Sequence, residues 1–169
     1  REEACPIDCT GLRHVKVIGA GRDKTVFDLA GRIVKRFANV ADSFDVTFSD
    51  LTVRNVASKE AECTSIGAAF SITKSGPVVF RSVDFRDCVQ TNTYAKPQEW
   101  YYGGIVCIGV GSCASFVDCA FDNCRWHTTN AADTFLCGGA IGGSGVGLLV
   151  DMTTFNGCSV YNPMKVDTS

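Results

Sequence analysis

Ten cysteines are the densest chemistry in this 169-residue chain. Cytosolic reductants keep thiols apart, so this density points to disulfides and an oxidising compartment. The candidates are Cys5, Cys9, Cys63, Cys88, Cys107, Cys113, Cys119, Cys124, Cys137 and Cys158. Zinc is the rival reading, but a zinc site wants closely spaced Cys pairs matched by a second pair or by histidines. Only His14 and His127 exist, and they stand far apart in sequence. No Cys-x-x-Cys is present for redox catalysis. We therefore expect structural stapling, with no metal and no cofactor. Connectivity stays open, because ten cysteines allow roughly a thousand full pairings.

Carboxylates and aromatic rings are the other reactive material. Glycosidic hydrolysis needs two carboxyl groups about 5–9.5 Å apart, and the best cluster of acids is Asp84, Asp87, Asp118 and Asp122. Both tryptophans and three of the four tyrosines fall in two segments, 89–102 and 125–137. Trp100, Tyr101, Tyr102, Trp126 and His127 are thus the candidate binding residues, able to stack on sugar rings or to anchor a protein partner. The alternative is that they fold down and cover the outside of a sheet.

What must position these groups is a repeat. Segments beginning at Val46, Val78, Ala114 and Leu148 align without gaps, at intervals of 32, 36 and 34 residues. The aligned columns are Val46/Val78/Ala114/Leu148, Phe48/Phe80/Phe116/Val150, Leu51/Val83/Cys119/Thr153, Val53/Phe85/Phe121/Phe155 and Val56/Cys88/Cys124/Cys158. Apolar residues alternate with period two, skip one position, then alternate again, which predicts two strands with one buried face joined by a bend. A glycine-led strand follows in each unit, from Gly67, Gly103 and Gly138, with Phe70, Val106 and Ile141 inward and Ile72 and Ile108 behind them. Short turns then restart the unit at Ser75-Gly76-Pro77, 109–111 and 144–147. Such a unit buries its apolar side only by stacking on its neighbour.

The expected fold is therefore all-β, a single right-handed parallel β-helix of about four to five coils, stapled by disulfides. Residues 1–45 form an N-terminal cap and first coil, with Ile33, Phe37 and Phe44 closing it. Residues 46–158 are the repeated coils and 159–169 a C-terminal tail. Adjacent-coil bonds such as Cys88–Cys124 suit the rung spacing of about 4.7–4.9 Å, and Cys107 and Cys113 flank one turn. One position before the cysteine column stands Asn55/Asp87/Asn123/Gly157, whose residue types tolerate the left-handed backbone of a tight corner.

Val15-Lys-Val-Ile-Gly-Ala-Gly-Arg-Asp-Lys-Thr-Val-Phe27, followed by Val46-Thr-Phe-Ser-Asp-Leu-Thr-Val-Arg-Asn55, resembles the first coils of pectin-lyase-like β-helices. Phe121-Asp-Asn-Cys124 and Gly138-Gly-Ala-Ile141 are similar to the F-x-x-N and G-G-A-I repeats of polymorphic-outer-membrane-protein adhesins, with cysteine standing where the motif has Asn. The two resemblances cover roughly residues 14–158. Both imply the same right-handed parallel β-helix, and neither transfers an activity. The Asp-Asp, Gly-His-Gly and Arg-Ile-Lys signatures of polygalacturonases are absent, as are the pectin methylesterase patterns.

Composition narrows the function further. The formal net charge is -2, with 16 basic and 18 acidic residues interspersed, so no basic stripe exists for nucleic acid. No uncharged apolar run reaches the roughly 18–20 residues that cross a bilayer. Arg1-Glu2-Glu3 opens without the apolar core of a signal peptide, so an exported chain would be read here in its mature form or as an excised piece. We expect a non-enzymatic, secreted or cell-surface structural or adhesive module, assembling with other extracellular subunits or with itself end to end. Carbohydrate binding through the aromatic segments is the alternative, and polysaccharide cleavage ranks third.

Overall fold

The computed structural model describes residues 7–31, 36–60, 67–92, 101–128, 136–144 and 146–161. The expected Ile33, Cys5, Cys63 and Trp100, and the tail beyond Tyr161, lie outside them. The described chain is all β and winds as a parallel solenoid of about four turns.

The first coil holds β1 (Ile7–Thr10), β2 (Arg13–Ile18) and β3 (Val26–Asp28). The second holds β4 (Ala38–Ala41), β5 (Phe44–Arg54) and β6 (Ala57–Glu60), and the third β7 (Gly67–Thr73), β8 (Val78–Arg86) and β9 (Val89–Asn92). The fourth contains β10 (Tyr101–Tyr102), β11 (Gly104–Ile108), β12 (Cys113–Val117), β13 (Ala120–Asp122) and β14 (Arg125–Thr128). The fifth contains β15 (Leu136–Cys137), β16 (Ile141–Gly143), β17 (Gly147–Asp151), β18 (Thr154–Asn156) and β19 (Ser159–Tyr161).

Three sheets run along the stack. One is β1-β4-β7-β11-β16. The largest joins β2 and β3 to β5, then β8, then β12 and β13, then β17 and β18. The third is β6-β9-β14-β19. All pairings are parallel, and the aligned columns are the register: Val46 lies on Val78, Val78 on Ala114 and Ala114 on Leu148. The glycine-led strands stack likewise, Phe70 on Val106 and Val106 on Ile141. Their leading glycines are obligatory. A Cβ on Gly67 would collide with the Phe70 carbonyl, and one on Gly138, at φ 87°, with that of Ile141.

The core is a set of ring columns. Phe48 stacks on Phe80 at 5.5 Å and Phe80 on Phe116 at 4.8 Å, nearly coplanar in both cases. Phe85, Phe121 and Phe155 form a second column at 4.5 and 5.1 Å. Phe70 meets Phe48 and Phe80 edge-on, locking the first sheet to the second.

Corners are made by left-handed residues, as the Asn55/Asp87/Asn123/Gly157 column predicts, at φ 55°, 52°, 54° and 62°. A second such column, Asp50/Ser82/Asp118/Met152, makes the bend between the strand pairs. The restart turn carries a buried serine ladder: the Ser43 amide donates to Ser75 Oγ (2.9 Å) and the Ser75 amide to Ser112 Oγ (3.2 Å). Each buried hydroxyl thus satisfies a turn amide that no strand can reach.

Two expectations need correction. Phe37 is buried against Phe27 and Phe70, but Phe44 is exposed. Asp45 takes φ 55°, which breaks the alternation and turns Phe44 outward against His14. Disulfide stapling is also not seen: no disulfide joins any two of Cys9, Cys88, Cys107, Cys113, Cys119, Cys124 and Cys158. Cys107 is buried while Cys113 is exposed, so the pair flanking one turn points to different sides.

Removing a ring from mid-column leaves a cavity that both neighbouring coils must share. Phe80→Ala should cost about 3–5 kcal/mol, and Phe155→Ala, at the open end, less than half of that. Urea unfolding of both variants measures the difference; equal costs would mean that stacking does not carry the core.

Candidate functional site

The acid cluster lies along the largest sheet, with Asp84 buried and Asp87 and Asp118 exposed. The chain between β2 and β3 folds across this sheet, held by Gly19 and Gly21 amides on the Ser49 and Asp50 carbonyls and by Thr52 Oγ1 donating to the Arg22 carbonyl (2.8 Å). This sends the Arg22 guanidinium from the first coil over the third and fourth. Its Nε lies 3.3 Å from Asp84 Oδ1 and its terminal nitrogen 2.9 Å from Asp118 Oδ2. Asp84 is buried beneath it and takes a second guanidinium from Arg86 at 2.5 Å.

Asp118 also accepts from Ser82 Oγ at 2.8 Å. That hydrogen bond, then Arg22, holds its carboxyl below the usual carboxylate range. Asp87 accepts from Asn123 Nδ2 at 2.6 Å, and Asp122 sits in register with Arg86. A general acid needs a carboxyl kept protonated near neutral pH; Asp118 is pushed the other way. The cluster works as an electrostatic clasp across coils.

The cysteine column occupies one register of successive coils. Cys88 Sγ points to the Val53 carbonyl (3.8 Å), Cys124 Sγ to Phe85 (3.5 Å) and Cys158 Sγ to Phe121 (3.3 Å), each on the preceding coil. The thiols therefore act as donors along the stack. Cys119 does the same towards Phe80 (3.5 Å), and Thr153, its successor in the column, towards Phe116 (3.3 Å). The Cys124 thiol is held protonated, first by its contact with Cys88 and then by burial. Burial likewise pushes up the Cys119 thiol. The Cys137 side chain lies outside the described residues, its backbone being in β15.

The aromatic candidates separate. Residues 125–128 are not loop but strand β14, stacked between β9 and β19. Trp126 is 2% exposed, in line with Gln90 below and Val160 above. It is therefore an interior residue. His127 is half-buried, its Nε2 2.9 Å from Thr91 Oγ1. Tyr101 and Tyr102 form β10, backbone-paired to Leu136 and Cys137. β9 and β14, which precede the two segments, are thus paired with each other, as are β10 and β15, which follow them.

The feature that residue types did not reveal is the last coil. β17, β18 and β19 are exposed throughout, although they carry the same inward columns as the coils below. Ile141, Leu148, Val150, Phe155, Cys158 and Val160 line an open depression of about 340 Å³ at this end. Among the described residues no group of three or more His, Cys, Asp or Glu is arranged to hold a metal ion, and no helix is long and apolar enough to cross a membrane.

Arg22→Ala should cost about 1–3 kcal/mol in urea unfolding, since it strips a charged partner from buried Asp84; no change would mean that the clasp is decorative. The depressed carboxyl of Asp118 adds stability that is complete above the unfolded pKa of about 3.9 and is lost as pH falls through its lower folded value. Asp118→Asn should flatten that acid limb in urea titrations from neutral pH to about pH 2. In reduced protein, a thiol reagent should modify exposed Cys113 before Cys88, Cys119 and Cys124, which react only on unfolding; peptide mapping reads the order.

Comparison of the chain with protein-family models, with curated proteins and with solved structures gives no match.

Proposed function

We propose that this chain is a non-enzymatic structural module of an extracellular or cell-surface assembly, in which the last coil receives the next β-rich element. The observation that carries this reading is the uncovered end: Leu148 and Phe155, each 49% exposed, continue columns that are fully buried one coil below. Exposed apolar surface of this kind, edged by unpaired strands, is a place where another chain seats. The ion-paired acids support the non-catalytic side of the proposal, because Arg22 engages Asp84 and Asp118 together and the Asp118 carboxyl is held below the usual carboxylate range. Ten cysteines support export to an oxidising compartment, where Cys88 and Cys124, neighbours in one column, are the first pair to consider for oxidation. The parallel solenoid is also what the pectin-lyase-like and adhesin-repeat resemblances imply, and both remain part of this proposal.

A second reading, carbohydrate recognition, is favoured by the strand pairs that flank the two aromatic segments, which set His127 beside Thr91 and the Tyr101–Tyr102 backbone beside Leu136 and Cys137. Burial withdraws Trp126 from that surface. On a glycan array, binding abolished by Trp100→Ala but not by a stability-matched core variant would establish recognition in place of assembly.

Native source material should elute as a particle several times the 18.1 kDa of the chain, and reductant should shrink it where disulfides join its subunits. It should release neither reducing ends nor unsaturated sugars from a polysaccharide panel. A native monomer, or sugar release lost in Asp84→Asn, overturns the proposal.

A further inference from the structure

We propose that the occupant of the open C-terminal end is the first coil of a second copy of this chain, so that copies stack head to tail along the solenoid axis. The inference rests on the assembly reading above and names its partner. It is carried by the match between the two ends.

Each end leaves an edge of the largest sheet without a strand partner. Among the described residues no strand pairs with the outer edges of β2 and β3, or with those of β17 and β18. The internal registers fix what would meet if the stack continued. Val15 lies under Val46, Val46 under Val78, Val78 under Ala114 and Ala114 under Leu148. One further step places Leu148 on Val15 of the next copy and Val150 on Val17. By the same rule Phe155 meets Phe27, because Phe27 begins the column that runs through Val53, Phe85 and Phe121. Ile141 meets Ile7 in the first sheet.

The receiving residues suit that role. Val15, Val17 and Phe27 are only half-buried, and Ile18 is 65% exposed. Apolar residues therefore meet apolar residues at Leu148 and Val150, and a ring meets a ring at Phe155.

Charge agrees with shape. Asp151 is the only charged residue between 136 and 161. In the extended register it stands over Ile18, one diagonal step from Lys16, with Arg13 on the same strand. A single acid thus approaches a basic edge strand. The contact joins two different surfaces, so it is heterologous, and a screw along the stack axis does not close into a ring. The expected product is an open series of dimers, trimers and longer rods.

Sedimentation velocity on the reduced chain, from low micromolar to near-millimolar concentration, should show this series growing from the 18.1 kDa monomer. The deciding test uses one blocked end at a time: Leu148→Glu with Phe155→Glu at the C-terminal end, and Val15→Glu with Val17→Glu at the N-terminal end, so that the blocked ends also repel each other. Each double variant alone should lose self-association by about tenfold or more, whereas their mixture should form a dimer that grows no further. Circular dichroism and urea midpoints confirm that both remain folded; if the N-terminal pair unfolds, Ile18→Glu, which sets a like charge against Asp151, replaces it. A wild-type chain that stays monomeric overturns the inference, as it would if residues 162–169 covered the end. So does either variant dimerising alone, which would mean a symmetric contact, or a mixture that stays apart. Because these readouts concern purified chain, they fail separately from the native-particle and substrate tests.

Discussion

The parallel hydrogen-bond ladder forces each residue to sit over its counterpart one coil away, and nearly every other feature depends on that constraint. Rungs in a sheet are about 4.8 Å apart, close to the 4.5–5.5 Å at which the phenylalanine rings stack. A ring that packs well in one coil therefore packs well on a ring in the next. The same spacing lets a side-chain donor reach the carbonyl of the coil beneath, which is how serine, threonine and cysteine are accommodated in otherwise apolar columns. Polar atoms inside the stack are tolerable because the ladder delivers an acceptor at every step.

This constraint also explains which parts were legible in the sequence. Columns such as Phe48/Phe80/Phe116 and Phe70/Val106/Ile141 announce themselves, because a buried position in successive coils meets the same surroundings and takes similar residues. The third sheet did not announce itself. Its inward column is Ser58/Gln90/Trp126/Val160, four residues with nothing in common, so Trp126 read as loop material. Phe44 misled for a different reason: period-two alternation holds only while the backbone stays extended, and Asp45 interrupts it.

The candidate sites were legible as residues but not as chemistry. Asp84 and Asp118 were correctly brought together by the repeat, yet their partner Arg22 lies outside the aligned coils, where no column points to it. The thiol column was placed in the right register. Its direction was not readable, because adjacent rungs fit both a disulfide and a thiol donating to a carbonyl. The open end was invisible in composition, since Leu148 and Phe155 belong to the same columns as their buried equivalents. Exposure there is decided by what lies above them.

The Arg22 clasp has a mechanical consequence. A solenoid held only by nearest-neighbour ladders peels from whichever terminus is pulled. Arg22 ties the first coil to carboxylates on the third and fourth, skipping the second, so the bottom of the stack cannot lift away rung by rung. The upper end has no comparable tie among the described residues, with Asp151 its lone charge. Pulled along the axis, the first coil comes free only if the Arg22 contacts break together with its own ladder, whereas the last coil is held by its ladder and packing alone.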